Sequence, residues 1–229
     1  MSSRVLVVVH DPQGATQLTT VLARRYDVRA TSDAEAAMTA LRAWHPALIV
    51  TDLEMPIVDG IELCRRVRQI STVPIIVISR EVDGLSEVAA LDAGADDYVK
   101  RPFVSEKLLA RMRVALRRTA DVSEAPALGV GAFHIDFYDR RVHVHGQPVR
   151  LTPKEFDLFV FMARHPNRVL PHRTLLGAVW GESCTDQSEY LRVFVGQLRK
   201  KLESDPANPR YLVTEPWVGY RFNPTGSVQ

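Results

Sequence analysis

Two places in this 229-residue chain combine residue types that do chemistry. Asp52 closes the apolar run Ala47-Leu-Ile-Val-Thr-Asp52 and is followed by Met55-Pro56 and Asp59-Gly60. A carboxylate at the carboxyl end of a buried parallel strand lies where doubly wound α/β folds gather their ligands, and it is suited to nucleophilic attack with a covalent intermediate. Ser79 closes a second apolar run, Pro74–Ser79, and Arg101-Pro102 follows a third that starts at Tyr98-Val99. The other place is Arg192 to Lys201, which holds Arg192, Arg199, Lys200 and Lys201 with no acid among them. Such a local patch suits a polyanion; the plainer reading is a solvated helix face.

The elements that position these residues follow from periodicity. Val5–Val9, Ala47–Thr51 and Pro74–Ser79 are continuous aliphatic runs, as parallel strands buried on both faces require. Asp27–Ala30 is a weaker strand between the first two, and Tyr98-Val99 begins a fifth. Helical patterns intervene at Gln13–Arg25, Ala34–Trp44 after an Asp33 cap, Ile61–Gln69, Leu85–Ala93 before Gly94, and Ser105–Arg118. This order predicts one doubly wound α/β domain, a five-stranded parallel sheet in the order 2-1-3-4-5, over residues 1–118. Residues 119–127 lose apolar period and read as a linker.

Residues 128–229 change character. Phe133-His-Ile-Asp-Phe137 and Arg141-Val-His-Val-His145 alternate in period two, so short antiparallel strands come first. Thr152-Pro-Lys-Glu155 is a capping box with proline at the first helical position, and it predicts a helix through Phe156, Phe159, Val160 and Met162 to Ala163. Two more helices are expected at His172–Trp180 and Ser188–Leu202, then a hairpin of Tyr211–Thr214 and Gly219–Phe222. Three helices and a terminal hairpin make the winged helix-turn-helix plan.

Composition sets bounds. Hydrophobic residues make up 46% and charged residues 24%, enough to build proper cores. Lys+Arg against Asp+Glu is 16 to 15 through Arg118 and 13 to 12 after it, so neither half is broadly basic. Cys64 and Cys184 are far apart, without disulfide or zinc spacing. Val5 to Val9 is too short a run for a signal peptide or membrane span, which leads to the expectation of a soluble, cytoplasmic protein with no membrane partner.

In order and spacing, residues 4–118 resemble the receiver domain of bacterial response regulators. The resemblance rests on Asp52-x-x-Met-Pro-x-x-Asp-Gly60, Val73-Pro-Ile-Ile-Val-Ile-Ser79, Ala89-Ala-Leu-Asp-Ala-Gly-Ala-Asp-Asp-Tyr98 and Pro102-Phe103. It implies that Asp52 is a phosphoacceptor for a histidine kinase, that Ser79 bonds the incoming phosphoryl oxygens, that Tyr98 is an aromatic that swings inward, and that Arg101–Pro102 is a cis peptide. Phosphoryl transfer is mostly positioning and charge neutralisation, with a divalent cation and a lysine as the usual supports.

This chain departs from that trigger. Where the family has acids after the first strand it has Val9, His10 and Asp11, and Arg101 stands in place of lysine. Magnesium wants hard oxygen ligands, and Asp11, Asp52 and Glu54 are the weakened set left for it. No cofactor is required, with magnesium possible at this degraded site. Two readings stand. One is a working receiver that has drifted. In the other, Arg80 and Arg101 neutralise Asp52 directly and hold one conformation without phosphate.

By the same resemblance, the fourth helix, fifth strand and fifth helix form a twofold dimer face. Val88, Leu91 and Ala110 match its apolar patch, Asp97 with Arg111 matches one ion pair, and Glu87 with Lys107 matches another with the charges exchanged. Exposed pairs of this kind set register more than affinity.

The second half resembles the effector domain of OmpR/PhoB-type regulators over residues 129–223, and Leu198-Arg-Lys-Lys-Leu-Glu203 with Asp205-Pro-Ala-Asn-Pro-Arg-Tyr211 looks most like their KdpE-type, potassium-transport branch. Leu191, Val195, Leu198 and Leu202 form a core stripe, leaving Arg192, Val193, Gly196, Gln197, Arg199 and Lys200 opposite. The resemblance places this helix in the major groove of double-stranded DNA. Arg192 and Gln197 are the candidates for base edges, and Arg199, Lys200 and Thr174 for phosphates. Gly196 shares their face. At the wing, Pro216-Trp217 stands where relatives have Arg-Gly, leaving Arg221 nearby and Trp217 to pack on a sugar or on the wing. The loop Gly181–Gln187 is the segment that contacts RNA polymerase in the family.

These features predict a DNA-binding transcription regulator, homodimeric through its receiver, whether or not a histidine kinase acts on it. The competing class is an aspartyl-nucleophile phosphohydrolase. It would need an aspartate two residues after Asp52, where Glu54 stands, and it has no use for a winged helix, so an enzyme is not expected.

Overall fold

A computed structural model describes residues 2–80, 84–116, 127–181, 184–185 and 187–227. The chain divides into two compact units, residues 1–117 and 118–229.

The first unit is built on five parallel strands: β1 (Arg4–Val8), β2 (Asp27–Thr31), β3 (Leu48–Asp52), β4 (Ile75–Ser79) and β5 (Asp97–Lys100). Their order is β2-β1-β3-β4-β5. β3 and β4 are buried at every position, which is why their sequences are unbroken aliphatic runs. β2 is an edge strand with mostly exposed or half-exposed side chains, so its sequence carries a weak signal. The helices are α1 (Pro12–Leu22), α2 (Ala34–Trp44), α3 (Gly60–Ile70), α4 (Gly84–Asp92) and α5 (Ser105–Leu116). Asp11, Asp33 and Asp59 cap the first three by accepting hydrogen bonds from first-turn amides. Val5, Val7, Leu22, Leu48, Val50, Ile76, Ile78 and Met112 share one core. The strand order reverses between β1 and β3, which opens a crevice at their carboxyl ends where Asp52 sits.

The second unit starts with a four-stranded antiparallel sheet of β6 (Ala127–Val130), β7 (Phe133–Asp136), β8 (Arg141–Val144) and β9 (Gln147–Val149). α6 (Pro153–Ala163), β10 (Val169–Pro171), α7 (His172–Trp180), α8 (Ser188–Leu202), β11 (Leu212–Glu215) and β12 (Gly219–Phe222) follow. The capping box forms as expected: Thr152 accepts from the Glu155 amide and the Glu155 carboxylate accepts from the Thr152 amide. Phe133, Phe159 and Phe222 meet edge-on or tilted at 5.1–5.4 Å between ring centroids, and Trp180 packs on Tyr190 and Phe194.

Three strands were missed by periodicity, among them β9, which pairs with β8. Ala127, expected at the end of the linker, begins β6, while residues 119–126 of that linker lie outside the described residues. β10 is three residues long and pairs with β12, so the terminal hairpin is the larger part of a three-stranded sheet in the order β10-β12-β11. A Cβ at Gly219 would fall 2.0 Å from the Leu170 carbonyl oxygen, so only glycine lets β12 approach β10 this closely.

Candidate functional site

Asp52 ends β3 with its side chain 12% exposed, and Arg101 Nη2 donates to its Oδ1 at 2.9 Å. Arg101 follows β5, and its peptide bond to Pro102 is cis. The Phe103 ring lies beneath its guanidinium, 5.5 Å from Cζ to the centroid. Burial raises the Asp52 carboxyl above the ordinary carboxylate value, and the bond to Arg101 opposes that rise. Arg80 adds a weaker attraction from further off.

The neighbouring carboxylates point elsewhere. Asp11 is spent as the α1 cap, accepting from Gln13 N and Gly14 N. Glu54 turns across to β4, where its Oε1 accepts from the Ser79 hydroxyl and from the Arg80 backbone N–H at 3.0 Å. Among the described residues no group of three or more His, Cys, Asp or Glu side chains could hold a metal ion. Asp11, Asp52 and Glu54 each accept from a different donor, and the described residues do not gather them into such a group. Val9 is buried and His10 is exposed. Tyr98 is 1% exposed, which puts its ring inward. The bond from Glu54 to Ser79 was missed; its only sequence signal is a carboxylate two residues beyond the strand end.

Within the protomer, the residues of the expected dimer face differ from the sequence reading at three points. Asp97 and Arg111 pair with each other inside the protomer, with side chains 5% and 3% exposed. Glu87 pairs with Lys100 at 2.7 Å rather than with Lys107, because β5 lies beside α4 and brings Lys100 within reach. Leu91 is fully buried on the inner side of α4 and cannot line a surface patch. Val88 and Ala110 are half-buried and Lys107 is exposed.

On α8 the structure separates residues that sequence grouped together. Arg192 and Lys200 are exposed and Val193 and Gly196 half-buried, and a Cβ at Gly196 would meet nothing within 4 Å. These four share one outward stripe. Gln197 is only 8% exposed. It lies about 60° around the helix from Phe194, on the flank of the core stripe, so it is not an open base reader. Arg199 is also withdrawn: its Nε and Nη2 donate to the Leu212 carbonyl at 3.0 and 2.6 Å, and Nη2 donates to Thr214 Oγ1 at 2.7 Å. Burial lowers its pKa, as expected of a cation fastening α8 to β11. Lys201 bonds the buried Glu155 at 2.6 Å. Among the described residues, Arg192 is held only by Glu189 one turn back, both side chains exposed.

At the wing, Arg221 lies within β12 and bonds Glu215 at 2.7 Å, which removes it as a free wing cation. Trp217 is fully exposed at the hairpin tip with φ 67°, so it does not pack on the wing. Thr174 is exposed on α7, and Arg173 beside it, a missed basic residue, is exposed too. In the loop assigned to polymerase, Glu182, Ser183 and Asp186 lie outside the described residues, and Cys184 is buried.

Comparison with known proteins bears on both units. Residues 5–113 match the response regulator receiver domain, and residues 146–222 match the family described as transcriptional regulatory protein, C terminal. The DNA-binding response regulator MtrA of Mycolicibacterium smegmatis is 40% identical over 98% of this chain and 98% of its own length. The KDP operon transcriptional regulatory protein KdpE of Escherichia coli is 46% identical over 77% of this chain and 79% of its own length. Among solved structures, the Thermotoga maritima OmpR/PhoB homologue DrrB is 28% identical, with a TM-score of 0.52 over 97% of this chain and all of that one. No described helix is long and apolar enough to cross a membrane.

Proposed function

Because this chain belongs to the OmpR/PhoB-type DNA-binding response regulators, we propose that it works without the phosphoryl transfer its relatives' fold is built around, its receiver already held in the switched state. The observation that carries this is the Arg101–Asp52 bond at 2.9 Å. Phosphorylation of an aspartate changes which donors gather around the strand ends. Here a guanidinium already occupies the acceptor. The Glu54 carboxylate takes up the Ser79 hydroxyl and the Arg80 N–H, the kind of donors an anionic phosphoryl group would use. An inward Tyr98 accords with the same state. A switch shifts only as far as its trigger discriminates between states, and internal ion pairs that favour one state reduce what a phosphoryl group can add.

On this reading the protein is a homodimer that binds double-stranded DNA through α8 and recruits RNA polymerase, and a histidine kinase is not required. Val88, Ala110 and Lys107 are the residues left open for a twofold contact after the ion pairs have closed inside the protomer. The alternative of an enzyme is disfavoured by Glu54, the residue positioned to serve as acid/base, because its carboxylate is bonded to Ser79 and the Arg80 amide.

Sedimentation of the untreated protein, beside its intact mass after acetyl phosphate and magnesium, tests the proposal. A dimer before treatment and no phosphoryl mass increment after it are expected. A monomer that dimerises only once phosphorylated would overturn the reading and restore the ordinary kinase-driven switch.

A further inference from the structure

A cleft of about 520 Å³ opens between α1 and the start of α5, beside the phosphoacceptor but not including it. That size suits a small organic ligand. Its apolar wall includes Val21, Phe103 and Leu108. Its charged wall is Arg80 and Arg101, and no acid lines it among the described residues.

The two arginines are under-used. Arg101 commits Nη2 to Asp52, and its Nε and Nη1 make no hydrogen bond among the described residues. The backbone of Arg80 donates to Glu54, but its guanidinium has no hydrogen bond or ion pair there. Asp52 thus bonds one of the two cations and attracts the other, Arg80, only weakly. Ser105, the first residue of α5, also lines the cleft, so the positive end of that helix adds to the field. Stacking on Phe103 holds the Arg101 fork in one plane, which favours two-point recognition of a planar or tetrahedral anion.

We propose that this cleft binds a small organic anion, a carboxylate or phosphate monoester head on a compact apolar body, with the head between Arg80 and Arg101 and the body against Val21, Phe103 and Leu108. The site stands whether or not Asp52 is phosphorylated. Its ligand would touch Arg101, the residue that neutralises Asp52, and so would reach the switch directly.

The test is calorimetric titration of the full-length protein with indole-3-acetate and with phenyl phosphate, alongside indole as the body alone and inorganic phosphate as the head alone. At least one of the two joined probes should bind at least tenfold more tightly than its fragment, and which of them does so identifies the head. Arg80→Ala, at an exposed position, should weaken that probe about tenfold. Val21→Trp, at a half-buried position, should abolish its binding by filling the cleft; unchanged hydrogen-exchange protection at the β3 and β4 amides shows that the receiver of each variant is folded. Absence of saturable binding by both joined probes at millimolar concentration would overturn the proposal. Equal binding of phenyl phosphate and inorganic phosphate, with no binding of indole-3-acetate, would do the same, as would binding left unchanged by either substitution.

Discussion

Replacing Arg101 with alanine removes the one strong donor to Asp52 and leaves a carboxylate that is 12% exposed. Two unit charges about 4 Å apart attract by about 4 kcal/mol at an effective dielectric near 20, and desolvation of both groups offsets part of that. Breaking a fully buried pair costs about 3–5 kcal/mol. With the two side chains 19% and 12% exposed, solvent takes up some of the loss, and about 2 kcal/mol is the expected coupling. Native-state hydrogen exchange at the β3 and β4 amides of the full-length protein reads this in the receiver alone. A double-mutant cycle with Asp52→Asn isolates the pair. The pH dependence has a definite sign. Burial raises the Asp52 carboxyl above its ordinary value of 3.8, so the folded state binds the extra proton and stability falls as pH rises from there to the higher folded value. Without Arg101 the opposing influence is gone, the window widens upward, and Arg101→Ala should cost more at neutral pH than at pH near 4. A coupling below about 0.5 kcal/mol, or a penalty independent of pH, would refute the view that Arg101 neutralises Asp52.

Arg199→Ala should loosen the β11–β12 hairpin, by about 1–3 kcal/mol, because two bonds to the Leu212 carbonyl and one to Thr214 are lost; exchange at the β11 amides would show it, and protection equal to wild type would refute the fastening role. Lys200→Ala, on the open stripe of α8, should weaken specific and non-specific DNA alike and lower the salt slope by about 1, whereas Arg192→Ala should relax sequence preference by about 1–3 kcal/mol in binding-site selection. Arg68→Ala should destabilise the receiver by about 3–5 kcal/mol, since Arg68 bonds the 1%-exposed Asp96 carboxylate and the Gly94 and Val73 carbonyls; a penalty under about 1 kcal/mol would contradict it. Burial pushes the Cys64 thiol up to about 12, so it should stay unreactive toward thiol reagents at neutral pH until the receiver unfolds.

Several elements were legible because their signals are local. The unbroken aliphatic runs at β3 and β4, the aspartate caps and the Thr152–Glu155 capping box each need only a few neighbouring residues to be recognised. The α7 and α8 boundaries, His172–Trp180 and Ser188–Leu202, agree with those expected. β6, β9 and β10 were missed for the complementary reason. None has a face apolar enough to show a period, and β10 owes its strand character to pairing with β12, about fifty residues later in the chain.

For the candidate sites the division falls within single side chains. Sequence determined that Asp52 ends a buried strand, that an arginine follows the fifth strand and that α8 carries a basic cluster. It left undetermined where each charged head is spent. Arg101 reaches Asp52 across 49 residues of chain, Lys201 reaches Glu155 across 46, and Arg199 reaches Leu212 across 13. A long cationic side chain can pair with any acceptor within several ångströms, and which acceptors are that close is set by how the elements pack. Gln197 became buried, and Glu87 found Lys100 instead of Lys107, for the same reason. Periodicity along the chain fixes which way a residue faces on its own helix or strand, whereas its partner belongs to a neighbouring element that only tertiary packing brings alongside.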